Sequence, residues 1–130
     1  MIYLADTSWV VNYLRGKEDT VRILLSLKKE GLAISIITLA ELYEGVVRAT
    51  NPTLAENRLE DFLSGTSILG VDEGICRIFG KEMARLHKEG KPIGDFDLLI
   101  ASTCLYHDLV LLTDNIKEFE RVEGLRLLKR

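Results

Sequence analysis

The chain has 130 residues, 47% of them hydrophobic and 28% charged, a balance that excludes a disordered segment and fits one globular domain with a sizeable core. Its formal net charge of −3 excludes a general electrostatic pull on nucleic acid, so contact with a polyanion needs a local basic patch or bound metal. No run approaches the roughly 20 apolar residues that span a bilayer, and Asp6 interrupts the first apolar run with no signal-peptide pattern around it, so the expectation is a soluble, cytoplasmic protein with no membrane contact.

Ile2 to Ala5 is a short apolar run that predicts a buried strand. Asp6, Thr7 and Ser8 can cap a following helix with Trp9, Val10, Tyr13 and Leu14 on one face, ended by Gly16. Asp19 or Thr20 restarts a helix through Val21, Leu24, Leu25 and Lys28, as far as Gly31. Leu32 to Ile37 is a second β-rich run, and Thr38 can cap a helix through Glu41, Leu42 and Val46. Asn51-Pro52-Thr53 marks a turn, with Pro52 well placed at a helix start, and Leu54 to Leu63 is helical in pattern. Ser67 to Val71 is a third strand. Asp72 caps a long amphipathic helix whose apolar positions Ile75, Ile78, Phe79, Met83 and Leu86 keep a helical period. Gly90, Pro92 and Gly94 form a loop, and Asp95 or its neighbours open a helix to about Tyr106. Leu109 to Thr113 is a fourth strand, Ile116 to Phe119 a helical turn and Leu125 to Leu128 a fifth strand. Strands alternating with helices predict one α/β/α domain over residues 1–130, with a mostly parallel sheet of four to five strands, covered on both faces and joined by right-handed crossovers. Cys76 and Cys104 have no metal-type spacing and are expected to be reduced core cysteines.

Four acids sit where strands run out: Asp6, Glu41, Asp97 and Asp114. In an open parallel sheet ligands bind at the carboxyl ends of the strands. Asp6 and Asp114 follow strands directly, while Glu41 and Asp97 lie near the starts of helices that begin at that same edge. Two unit charges about 5 Å apart at an effective dielectric near 20 repel by roughly 3 kcal/mol. Four such groups therefore need protons or cations. Oxygen donors suit Mg²⁺ or Mn²⁺, which can activate a water and shield an incoming phosphate. Each acid also has a plainer reading: Asp6, Asp97 and Asp114 as caps or turn formers, Glu41 on an outward helix face. Asp95 is either a fifth ligand, a group that supports the ligands from behind, or a solvent-facing helix cap. Thr7, Ser8 and Thr113 either orient ligands and waters or cap backbone locally.

Competing chemistries find little support. His87 and His107 stand on amphipathic helices away from any nucleophile, and no Gly-rich phosphate loop is present. Arg15, Lys17, Arg48, Lys88, Lys91 and Arg121 are candidates for phosphate positioning or ordinary surface charges. Trp9 and Tyr13 read as core or partner-groove residues. A receiver-like module would need paired acids after the first strand, an Asp after the third and a Lys after the fifth. Here Asp6 stands alone, Asp72 opens a helix, and Lys129 falls at the very end.

The segments IYLADTSWVVNYLRG, SIITLAELYEGV, KPIGDFDLLIASTCL and LLTDNIKEFERVEGLRL, in that order and over essentially the whole chain, resemble the PIN-domain ribonucleases of the VapC toxin type. The resemblance implies a PIN-like fold and a metal-dependent endoribonuclease, the toxin of a type II toxin–antitoxin pair. It places the acids of the site at Asp6, Glu41, Asp97 and Asp114, which would hold Mg²⁺, with Mn²⁺ able to substitute. It takes Asp97 over Asp95, because many relatives are not acidic at the position of Asp95; some carry Asn at the position of Asp114. It further implies an RNA substrate, a homodimer and a cognate antitoxin that occupies a groove and blocks the site. The alternatives are a DNA- or structure-specific PIN-like nuclease, and a non-catalytic metal- or phosphate-binding regulatory module.

Overall fold

The computed structural model describes residues 2–128; Lys129, on which the receiver-like alternative turned, lies outside them. Five strands, β1 (Tyr3–Ala5), β2 (Leu32–Ser35), β3 (Ser67–Leu69), β4 (Val110–Leu112) and β5 (Arg126–Leu128), form one sheet in the order β3-β2-β1-β4-β5. Every pairing among them is parallel. The helices between them are α1 (Thr7–Leu14), α2 (Glu18–Lys28), α3 (Ile36–Arg48), α4 (Pro52–Leu63), α5 (Glu73–Lys88), α6 (Asp95–His107) and the short α7 (Ile116–Phe119).

The strand period of two divides the core into two layers. Leu4, Ala33 and Leu111 join Leu86 of α5, Leu98, Ala101 and Cys104 of α6, and Phe119 of α7. Their neighbours Ala5, Ile34 and Leu112 point the other way, to Trp9 and Val10 of α1, Leu24 of α2, Leu42 of α3, and Leu59 and Phe62 of α4. A three-layer α/β/α arrangement follows, as the alternating pattern predicts. Helices α5 and α6 approach closely at Gly74, where a Cβ would overlap the ring of Tyr106.

Asp6, Asp72 and Asn51 cap α1, α5 and α4 through side-chain oxygens. Other details differ from the sequence expectation. Ser35, not Thr38, caps α3, its Oγ accepting from Ile37 N at 3.0 Å, and Thr38 is buried within the helix. Helix α2 begins at Glu18 after Lys17 with no side-chain cap; Glu18 and Asp19 complement the helix dipole instead. Cys76 is exposed rather than in the core. Cys104 is buried, donates through Sγ to Leu109 O at 3.1 Å, and burial pushes its thiol up to about 12, which makes it inert. No helix among the described residues is long and apolar enough to cross a membrane.

Candidate active site

The order β3-β2-β1-β4-β5 reverses direction between β1 and β4, and a parallel sheet opens a crevice at the carboxyl ends of such a pair. Asp6 follows β1 there as the cap of α1. Its Oδ1 accepts from Trp9 N at 3.0 Å and from Ser8 Oγ at 2.9 Å, and the residue is only 5% exposed. Capping and a site role are thus compatible in one carboxylate. Burial raises the Asp6 carboxyl above its ordinary range, hydrogen bonds from Thr113, Trp9 and Ser8 oppose this, and the charge of Asp114 adds to it.

Glu41 lies half-buried in α3. The Thr7 hydroxyl stands 2.7 Å from its Oε1 and 3.0 Å from Thr38 Oγ1. A hydroxyl has one proton, and the charged acceptor is the stronger partner. Thr7 therefore donates to Glu41 and can accept from Thr38, which fixes the glutamate from behind. Asp97 is in the first turn of α6 and half-buried. Desolvation, followed by the charges of Glu118, Asp6 and Glu41, pushes its carboxyl up to about 6.

Asp6, Glu41 and Asp97 line one cavity of about 480 Å³, together with Asn12, Asn115 and Arg15. Asp114 is exposed and does not line it; its Oδ1 accepts from Trp9 Nε1 at 3.2 Å. Asp95 is an exposed first residue of α6, without a side-chain capping bond, and Gly94 is the cap. Of the basic candidates, Arg15 reaches the cavity. Arg48 pairs with Glu44 at 3.7 Å, Arg121 donates to Pro92 O at 2.8 Å, and Lys17, Lys88 and Lys91 are exposed.

Sequence reasoning passed over Glu118, whose charge is the largest acting on Asp97. Its Oε2 accepts from Asn115 Nδ2 at 2.6 Å and its Oε1 from Gly94 N at 3.4 Å. The available signal was its place one helical turn beyond Asp114. A second, apolar groove of about 320 Å³ runs between α1, α3 and α4, with Leu14, Leu42, Val46, Ala49 and Ala55 in its wall, and it shares Val11, Arg15 and Glu41 with the acidic cavity.

The donor set is all hard oxygen, and burial and mutual repulsion raise two of its members; both features fit a divalent cation such as Mg²⁺ or Mn²⁺. Among the described residues no three acidic, His or Cys side chains are already gathered as a ligand group.

Residues 3–125 match the family model of the PIN domain. The chain belongs to the PIN-domain family. This PIN-domain chain is 34% identical over 128 residues to ribonuclease VapC1 of Haemophilus influenzae (strain R2866), covering 97% of the chain and 96% of the relative. It is 32% identical to the tRNA(fMet)-specific endonuclease VapC of Shigella flexneri, covering 95% of the chain and 94% of the relative. In three dimensions it matches a crystal structure of VapBC2 from Rickettsia felis bound to a DNA fragment from their promoter, with a TM-score of 0.91 and 34% identity over 98% of both chains. The all-parallel sheet and its flanking helices are therefore the PIN fold that the resemblance implied.

Proposed function

We propose that this PIN-domain protein is an endoribonuclease, the toxin of a type II toxin–antitoxin pair acting in the cytoplasm, and that residues 1–130 form one nuclease domain. The observation that carries this reading is the cavity at the β1–β4 switch point, where Asp6, Glu41 and Asp97 meet beside the Arg15 cation. Relatives of matching length named as VapC ribonucleases support RNA as the substrate.

Asp6, Glu41 and Asp97 would hold Mg²⁺, or Mn²⁺ in its place; outside the cavity wall Glu118 acts on Asp97 and Asp114 on Asp6 through their charges, and each is a candidate fourth acid. Asp95 stands exposed at the margin of this set, and Asp114 also holds the Trp9 indole. When bound, the cation supplies an activated water and positive charge against the phosphodiester. The chain's own residues do the rest. Thr7 orients Glu41, and Ser8 and the Trp9 N–H orient Asp6. The Arg15 guanidinium holds a non-bridging phosphate oxygen of the RNA, and the amides of Asn12 and Asn115 offer hydrogen bonds to the strand. The apolar groove that adjoins the cavity at Arg15 and Glu41 suits a cognate antitoxin segment that would cover the site, and the protein is expected to be a homodimer.

Matched RNA and DNA oligonucleotides incubated with Mg²⁺ or Mn²⁺ test the reading. Metal-dependent cleavage of RNA in preference to DNA, lost in Asp6→Asn, is the expected result. Preference for DNA would make the protein a DNA-directed nuclease. Absence of metal-dependent cleavage, together with unimpaired growth on expression, would return it to a binding module.

A further inference from the structure

Asp97 and Glu118 lie on different elements, and the chain between them passes through α6 and β4 before α7 begins. Phe119 and Val122 share the buried core with Leu98 and Ile93, and hydrogen bonds at the surface add to that packing in setting the separation of the two acids. Two hydrogen bonds join the α7 region to the loop that feeds α6. Arg121 Nη1 donates to Pro92 O at 2.8 Å, and Gly94 N, at the cap of α6, donates to Glu118 Oε1 at 3.4 Å. A further set of contacts anchors Arg121 from behind. Arg85 Nη2 donates to the backbone oxygen of Arg121 at 2.7 Å. Arg85 is itself gripped by Glu82 through Nε at 3.1 Å and Nη2 at 2.8 Å. Glu82, buried in α5, also accepts from Glu123 N at 3.3 Å. The result is a continuous brace from α5, through residues 121–123, to the loop at Pro92.

We propose that Arg121 is a positioning residue: by bridging the turn after α7 to the carbonyl of Pro92, it sets how far Glu118 stands from Asp97 and so tunes the affinity of the site for a divalent cation. The proposal rests on the reading of those acids as the metal site. Arg121 is fixed at both ends, its backbone oxygen by Arg85 and its guanidinium by Pro92 O, and this replaces the phosphate-contact role that its charge suggests in the sequence. One exposed hydrogen bond contributes modestly to global stability, whereas outer partners of metal ligands have large effects on affinity because ligand placement is demanding.

Calorimetric titration of Mn²⁺ into the metal-free full chain, with RNA cleavage kinetics alongside, decides the matter. Arg121→Ala should weaken Mn²⁺ binding by roughly tenfold and lower kcat, while KM for RNA changes by less than about twofold and the metal-free melting midpoint moves by less than ~2 °C. Arg121→Lys can still donate to Pro92 O and should recover most of the lost affinity. Wild-type Mn²⁺ affinity in Arg121→Ala overturns the proposal. A loss confined to KM overturns it too and makes Arg121 a phosphate contact. If Arg121→Ala does not fold, Arg121→Lys is compared with Arg121→Met, which has no donor for Pro92 O, and equal Mn²⁺ affinity in the two overturns the proposal. A wild-type chain that binds no Mn²⁺ overturns the reading of the metal site, and this proposal falls with it.

Discussion

Glu82 and Asp97 are acids on two helices that pack together, α5 and α6, and their surroundings drive them in opposite directions. Glu82 is 7% exposed and lies in the two-pronged grip of Arg85, which holds its carboxyl below the ordinary range. Asp97 is half-buried, and the charges that act on it all belong to acids. One arrangement is closed: its charge is balanced, and its benefit is to the fold. The other is left uncompensated, and repulsion kept in a folded chain is what an incoming cation can relieve. Partly buried acids are thus uninformative by their burial alone; the sign of their neighbours separates a strut from a site.

The sharpest way to break this contrast is Asp97→Asn. On the proposed reading of Asp97 as a metal-holding carboxylate, RNA cleavage in single-turnover assays should fall by at least about a hundredfold, beyond what an outer partner of a metal ligand costs. Near-wild-type cleavage would mean that Asp97 is no more functional than Glu82. A finer comparison sets Glu118→Gln against Asp114→Asn. We predict roughly tenfold weaker Mn²⁺ binding for the first. The second should change it less than about threefold, since Asn can still accept from the Trp9 indole. The reverse order would restore Asp114 as the fourth acid.

Glu82→Gln should act on stability. Its folded carboxyl lies below the unfolded value of 4.5, so its contribution is present above that value and is lost as pH falls through the lower, folded one. The variant should melt about 3–6 °C lower at neutral pH, and the gap should close on acidification. Asp97 carries the opposite sign. Its folded carboxyl titrates near 6 against 3.8 unfolded, so the fold favours the protonated form; that stabilisation is intact below 3.8 and lost as pH rises through 6. Without metal, Asp97→Asn should therefore melt slightly above wild type at pH 7, by about 1–2 °C after allowance for solvent screening. The two should coincide at acid pH, and saturating Mn²⁺ should place wild type above the variant.

Much of the fold was legible because the buried parallel strands are short apolar bursts and their following caps are Asp or Ser. Strand ends were less so. Both Ser35 and Thr38 can cap, and only the point at which the chain leaves the sheet chooses Ser35. Asp6, Glu41 and Asp97 were legible through topology, since each lies beside an element that starts or ends at the same edge. Asp114 shares that position, but its oxygen meets an indole from the far end of the sequence, a pairing that no local pattern announces. Glu118 was hidden among Glu120 and Glu123, and its proximity to Asp97 arises only when α7 folds back on the loop before α6. The bridging contacts of Arg121 and Arg85 were hidden for the same reason, as their acceptors are backbone carbonyls contributed by distant segments.

The pairing of Tyr3 with Val110 at the centre of the sheet also has a consequence in time. Contacts between remote segments form late, after the entropy of closing the chain has been met. During synthesis, β1 and β2 emerge before β4, so one edge of β1 waits for Val110–Leu112, and the cavity waits further for Asn115 and Phe119. A ribosome making this protein therefore carries no assembled nuclease site until the segment through Phe119 has emerged, and a product truncated before β4 would present an open strand edge prone to aggregation instead of a cutting site.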